Sequence, residues 1–295
     1  LLEKSLAAVN NGDEKDMNSH SGHIIAVANQ KGGVGKTTTV VNLAQGLALL
    51  DQSILALDFD PQANLTQGLG VKLESIQMSV VDLIRKRELP EHAAIYKGSQ
   101  IDIIPATPAL SQVEREMVGL TNSELRLAHR LRKLRHQYSV ILIDTAPTFG
   151  PLMNSALNAA DSIIVPVDSN LYALQGIKSL LGEIDEIKAG TNPNVEILGY
   201  LLTLFDSTRI TGEVYEGLIE SFGNKVFETK VRRSVKLREA PALGRTIFHH
   251  APGSSGSEDY LKLSREVLAR LSPKTAASVE TSAHHLNLIQ GGGVK

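Results

Sequence analysis

The chain has 295 residues, 42% of them apolar and 21% charged, with a formal net charge of −2. That length and balance suit one large α/β domain with a full core, and the absence of cysteine excludes disulfides, thiolate catalysis and cysteine-held zinc or iron–sulfur centres, in keeping with a reducing, cytoplasmic setting. A near-neutral chain exerts no global pull on nucleic acid, so any DNA binding requires a local basic patch.

Residues 1–22 are polar and offer little to bury, so they read as a flexible lead-in, and Met17 is a candidate natural start. The N-terminus lacks the basic and apolar regions of a secretory signal, and no apolar run approaches the roughly 20 residues of a membrane span. From residue 23 to 272, short β-branched runs alternate with helical patterns, as in a parallel sheet. Strands are expected at Ile24–Ala28, Ile54–Leu57, Ile101–Ile104, Val140–Ile143, Ile163–Val167, Val195–Leu204 and Lys225–Phe227. Helices are expected at Thr37–Leu50, Ser123–Arg135, Leu152–Ala159, Ala173–Ala189, Gly212–Phe222 and Ser257–Leu271. Residues 273–295, rich in Ser, Thr and Ala and carrying Gly291, Gly292 and Gly293 near the end, read as a flexible tail. The expected fold is a doubly wound, mostly parallel sheet flanked by helices, with its ligand at the carboxyl ends of the strands.

Chemistry concentrates first at Lys31-Gly32-Gly33-Val34-Gly35-Lys36-Thr37-Thr38, between a strand and a helix. In that context the glycines let backbone N–H groups wrap phosphates, and the helix N-terminus adds its positive dipole. Lys36 supplies a point charge to the β and γ phosphates, and Thr37 a hydroxyl to Mg²⁺, so the segment reads as a P-loop for Mg-ATP. Lys31 is an extra lysine at the near side of the loop, badly placed for its own nucleotide but able to reach across a symmetric interface. Two further segments place acids at strand ends: Asp58 and Asp60 after Ile54–Leu57, and Asp144 after Val140–Ile143. Such carboxylates lie where the phosphates sit, and Asp144 fits a magnesium-holding role, directly or through water. Simple strand-end capping is the competing reading for Asp58 and Asp60.

The eight-residue loop with its leading lysine resembles the "deviant" Walker A motif of the ParA/MinD group of ATPases. Val231-Arg232-Arg233-Ser234-Val235-Lys236-Leu237-Arg238-Glu239-Ala240-Pro241 and Gly244-Arg245-Thr246-Ile247 are similar to the Soj-like branch of ParA partition ATPases. The resemblance spans about residues 23–271 and implies a P-loop ATPase that is slow unless stimulated. It implies a dimer sandwiching two ATP molecules, with Lys31 on the neighbour's phosphates and Asp60 positioning the attacking water. It further implies non-specific duplex DNA binding by the ATP dimer, on the nucleoid, and hydrolysis triggered by a ParB-like adaptor. Arg209, Arg232, Arg233, Lys236, Arg238 and Arg245 are the expected DNA contacts. Independently, residues 229–245 hold basic side chains, Lys230 among them, against one acid, Glu239, although a solvated charged loop would look the same.

Related functions remain as alternatives: positioning of another cargo, such as a carboxysome or chemosensory cluster, or a MinD-like division regulator. The last needs a basic amphipathic helix at the C-terminus, and residues 272–295 offer few bulky apolar residues for one. Nitrogenase-iron-protein chemistry is excluded by the missing cysteines. A second basic stretch, Arg126, Arg130, Arg132, Lys133 and Arg135, lies on a helix with Leu127, Leu131 and Leu134 as its buried stripe, and reads as a solvated face. The nine histidines show no metal-ligand spacing.

Overall fold

A computed structural model describes residues 22–86, 88–170 and 173–272. Six strands form one parallel sheet among the described residues: β1 (His23–Val27), β2 (Ile54–Phe59), β3 (Ile101–Ile104), β4 (Val140–Thr145), β5 (Ser162–Asp168) and β6 (Glu196–Thr203). Their spatial order is β3-β2-β4-β1-β5-β6, so the chain leaves β1 toward one edge and leaves β4 toward the other. β2 and β4 are buried along their whole length, which is why they read as continuous apolar runs rather than as an alternation.

Two helical layers cover the sheet. Alternate residues of β1 feed them: Ile24 and Ala26 join one core cluster, Ile25 and Val27 the other. The first layer holds α3 (Val80–Arg85), α4 (Leu110–Met117), α5 (Arg126–Leu134), α6 (Pro151–Ala159), α7 (Ala173–Ala189) and α8 (Arg209–Phe222). The second holds α1 (Lys36–Ala48), α2 (Asn64–Gly68), α9 (Val235–Ala242), α10 (Ile247–His250) and α11 (Ser255–Leu271). α11 lies directly on α1. A Cβ on Gly46 would meet Ser264 Oγ at 2.2 Å, so glycine is what lets these two helices approach.

Three expectations change. Lys225–Phe227 is not a strand. Val226 makes one isolated bridge to Tyr200, while the Lys225 and Val226 carbonyls accept from the Arg270 guanidinium and so are not free for a ladder. Ser123–Arg135 divides into a 3-10 turn over Ser123–Leu125 and the helix α5. The short helices α2, α3, α4, α9 and α10 are additions to the expected set, although Ser79 and Asp82 form a capping box that starts α3. The flexible segments expected at 1–22 and 273–295 lie outside the described residues, except for Gly22, whose N–H donates to the Arg135 carbonyl at 2.7 Å.

Candidate active site

β1 ends in the middle of the sheet, and the loop that follows turns into α1 with Lys36 as its first residue. Gly33 (φ 75°) and Gly35 (φ 86°) occupy the left-handed region, which a residue with a Cβ reaches only with strain. A Cβ on Gly32 or Gly33 would meet nothing within 4 Å, so the loop's front is open. The loop is fixed from behind. Thr203 Oγ1, at the end of β6, lies 2.8 Å from the Val34 carbonyl and donates to it. Lys36 Nζ donates to the Lys31 carbonyl at 3.0 Å and curls across the loop. Lys36 is buried, and burial lowers its pKa against the opposing charges of Asp144 and Asp60.

The carboxylates arrive by register. Asp58 on β2 pairs with Asp144 on β4, which pairs in turn with Val27 at the end of β1. One row across three strands therefore delivers both acids to the mouth of the loop. Neither oxygen of Asp144 has a hydrogen-bond partner, although the side chain is fully buried. Burial pushes its pKa well up and the charge of Asp58 adds to that, while the nearby Thr37 hydroxyl and Lys36 ammonium oppose it. An orphaned buried carboxylate beside a P-loop hydroxyl is chemistry that suits a bound cation, and Thr37 and Asp144 fit magnesium on that ground.

Asp58 is differently placed. Its Oδ2 accepts from the Thr66 N–H at 2.8 Å and from Thr66 Oγ1 at 2.6 Å, and its Oδ1 accepts from the Asp60 N–H. Burial raises its pKa to about 6 against those bonds. These bonds make Asp58 a brace that folds the 60–66 turn back onto the strand. Asp60 is buried at the turn's start, with Oδ1 accepting from the Gln62 N–H at 2.9 Å.

A family model described as an AAA domain matches residues 22–197. The chain is 41% identical over 256 residues to the chromosome partitioning protein ParA of Myxococcus xanthus, covering 86% of this chain and 90% of that protein. It is also 41% identical over 248 residues to the chromosome-partitioning ATPase Soj of Thermus thermophilus, covering 84% and 96%. This chain belongs to the ParA/Soj family of chromosome-partitioning ATPases. Among solved structures it is similar to a Mycobacterium smegmatis protein described as cobyrinic acid a,c-diamide synthase, with bound ATP analogue and magnesium. The TM-score is 0.73 at 28% identity, over 84% of this chain and 94% of that one.

In this ParA/Soj chain Lys31 is held at home. Its Nζ donates to Asp168 Oδ2 at 2.6 Å, and its N–H donates to Asn29 Oδ1 at 3.0 Å. Sequence reasoning missed Asp168, which ends β5 much as Asp58 and Asp144 lie near the ends of β2 and β4; an acid after the apolar run Ile163–Val167 was the available signal. It also missed Glu114 of α4, whose pKa is raised by burial and then by the charge of Asp60.

The expected basic cluster is spread out. Arg232 lies beside Phe205, just past β6, and Arg209 opens α8 nearby. Lys236 and Arg238 ride on α9, and Arg245 lies beyond, lining a cavity with Gly98 and Ile101 at the β3 edge. The spreading follows from the core: Val231, Leu237 and Ile247 anchor this segment across the second layer. Several charges are also engaged within the fold. Arg232 donates to both oxygens of buried Asp259 and to Glu258, which raises its pKa further. Lys230 Nζ sits 3.4 Å from the centre of the Tyr215 ring, and Lys236 pairs with Glu239 at 2.9 Å. Arg209 pairs with Glu213 one helical turn away. Arg233, Arg238 and Arg245 are exposed with no ion-pair partner among the described residues.

Proposed function

We propose that this protein is a DNA-partitioning ATPase that binds Mg-ATP on Lys31–Thr38 and hydrolyses it slowly. The observation that carries this reading is the row that sets Asp58 and the unpartnered Asp144 beside Lys36 and Thr37. Backbone N–H groups from Gly32 to Thr38 would cradle the phosphates, with the α1 N-terminus behind them. Lys36, released from the Lys31 carbonyl, would meet the β and γ phosphates. Magnesium, held by Thr37 and by Asp144 directly or through water, would neutralise charge on the phosphate oxygens. Asp60, ordered by the turn that Asp58 braces, would orient the attacking water as its oxygen bonds to the γ phosphorus and the bond to the β-phosphate oxygen breaks.

The active form is a homodimer in which each Lys31 meets the partner's triphosphate. The relatives named for chromosome partitioning support a cycle on the bacterial nucleoid: the ATP dimer binds duplex DNA without sequence preference, and a ParB-like adaptor triggers hydrolysis and release. Arg233, Arg238 and Arg245 supply phosphate contacts, joined by Arg209 and Lys236 where DNA displaces their internal partners, while Arg232 stays with Asp259. The test is ATP turnover alone, with duplex DNA, and with DNA plus a ParB-like adaptor. Lys36→Ala is expected to abolish nucleotide binding, and Asp60→Ala to keep binding while stopping turnover. Normal hydrolysis by the Asp60→Ala protein would overturn the assignment. An ATP-dependent gel shift at low salt checks the DNA step, and its absence refutes that step alone.

A further inference from the structure

The second basic stretch of the sequence turns out not to be a plain solvated face. It forms one wall of a cavity of about 780 Å³ between α5, the last turn of α6 and the segment 191–194 that leads into β6. That position is at the amino-terminal end of the sheet, whereas the P-loop follows the carboxyl end of β1. The two sites are therefore at opposite ends of the strands.

Three kinds of surface meet there. Leu125 and Ala128, with Leu83 and Ile84 behind them, give an apolar wall. Arg126 and Arg132 give a cationic one, with His129 between them; none of the three has a hydrogen-bond or ion-pair partner among the described residues, and no carboxylate lines the cavity. Glu91, which Arg130 and Lys133 of this helix reach, is already engaged by them at 2.7 Å and 3.1 Å. The third surface is amide. Asn158 is only 8% exposed and its Nδ2 donates to the Asn154 carbonyl, yet its Oδ1 is buried with no partner. Asn192 and Asn194 line the cavity beside it and offer amide groups at its surface.

The geometry points to a second ligand site here, for a nucleotide-sized phosphorylated small molecule. Each element of such a ligand has its counterpart: phosphate oxygens for the unpaired guanidinium groups, a flat ring for the apolar wall, and an amino or hydroxyl group for the Asn192 and Asn194 side chains. The volume lies within the roughly 300–1,000 Å³ usual for small-molecule pockets. A convex duplex could touch the rim but could not fill a cavity of this volume.

The experiment uses the full chain with its P-loop saturated by Mg-ADP, titrated into mant-labelled AMP and GMP and followed by fluorescence anisotropy. Monophosphates lack the β phosphate that Lys36 recognises, so they report this cavity rather than the loop. Saturable binding of one of them is expected, weakened about tenfold or more in the Arg126→Ala/Arg132→Ala double variant, as expected when charge-assisted bonds are removed. The same binding is expected to survive Lys36→Ala. Because neither arginine side chain is part of the core, the double variant folds, which its unchanged Mg-ADP affinity will verify. No saturable binding up to about 1 mM, a concentration that already marks very weak affinity, would overturn the proposal. So would binding indifferent to the double variant, or a double variant that loses only affinity for duplex DNA.

Discussion

Lys31 and Asp168 face each other at 2.6 Å, tying the front of the P-loop to the end of β5. Their side chains are 39% and 17% exposed, and the second oxygen of Asp168 is buried without a partner. A lysine held in this way is not free to reach a second protomer. In the proposed dimer, crossing to a partner's triphosphate requires giving up the Asp168 bond first, so the pair would act as a latch against dimerisation. A half-exposed ion pair of this kind is worth about 1 kcal/mol. Asp168→Asn, made on the Asp60→Ala background to stop turnover, is therefore expected to tighten the ATP-dependent dimer severalfold. Analytical ultracentrifugation across protein concentrations measures it. An unchanged or weaker dimer would show that Asp168 supports Lys31 rather than restrains it.

What the sequence revealed and what it hid divide along physical lines. The P-loop was readable because its chemistry is local: glycines with positive φ, a lysine and a threonine must follow one another between strand and helix. Asp144 and Asp58 were readable as strand ends, but their union in one row depends on the register of β2 against β4, which no local pattern encodes. The same holds for Asp168, which gains its meaning only from β5 lying next to β1. The basic residues show the converse. Spacing along residues 229–245 gave a cluster, whereas tertiary pairing removed Lys230 to an aromatic ring and Arg232 to Asp259. Charge counts along a chain cannot see partners that arrive from far away in sequence.

Asp58 ties stability to pH. Burial lifts its pKa from 3.8 to about 6, so between those values the folded protein holds a proton that the unfolded chain has released. Stability from this group is therefore present at low pH and falls as pH rises from about 4 to about 6, levelling above that. Asp144, also raised by burial, adds a fall of the same sign. Asp58→Asn is expected to remove the Asp58 part, so the melting temperature of the variant relative to wild type rises across that window. The upper bound is about 3 kcal/mol, from a shift of about two pKa units at 1.36 kcal/mol each. Differential scanning without magnesium or nucleotide at a series of pH values checks the sign. A variant that loses ground to wild type as pH rises would mean that Thr66 favours the charged carboxylate more strongly than burial opposes it.

Arg126 and Arg130 sit one turn apart on α5 and are expected to differ sharply on mutation. Arg130 is only 6% exposed. Its guanidinium donates to the carbonyls of Leu83, Lys86 and Leu89 and to Glu91, tying α5 to the end of α3 and the turn after it. Arg130→Ala leaves Glu91 short of a buried partner and strands the carbonyls, so a loss of about 3–5 kcal/mol is expected. Arg126→Ala removes a side chain that pairs with nothing among the described residues and should move stability by about 0.5 kcal/mol or less. Urea unfolding of both variants decides it. Equal, small losses would return α5 to a solvated face on both sides.

Arg232 and Arg233 are adjacent, yet the fold gives them opposite tasks. Arg232 holds buried Asp259, which also accepts the Arg232 N–H at 2.9 Å, and so joins the end of β6 to the start of α11. Arg233 is exposed and lacks an ion-pair partner among the described residues. Removing the Arg232 side chain leaves a buried carboxylate with the backbone N–H as its remaining donor, so Arg232→Ala is expected to destabilise the protein by about 3 kcal/mol. Any drop in its DNA affinity should follow from that destabilisation. Arg233→Ala and Arg238→Ala should leave the melting temperature unchanged. Each should weaken ATP-dependent duplex binding across all sequences and lower the slope of log affinity against log salt. The slope should fall by about 1 for each phosphate no longer neutralised, or about 2 in a symmetric dimer. Titrations of one duplex at several salt concentrations give that slope directly. If Arg232→Ala kept full stability while flattening it as much as Arg233→Ala does, the ion pair with Asp259 would have to open on DNA, and both arginines would belong to the phosphate-binding surface.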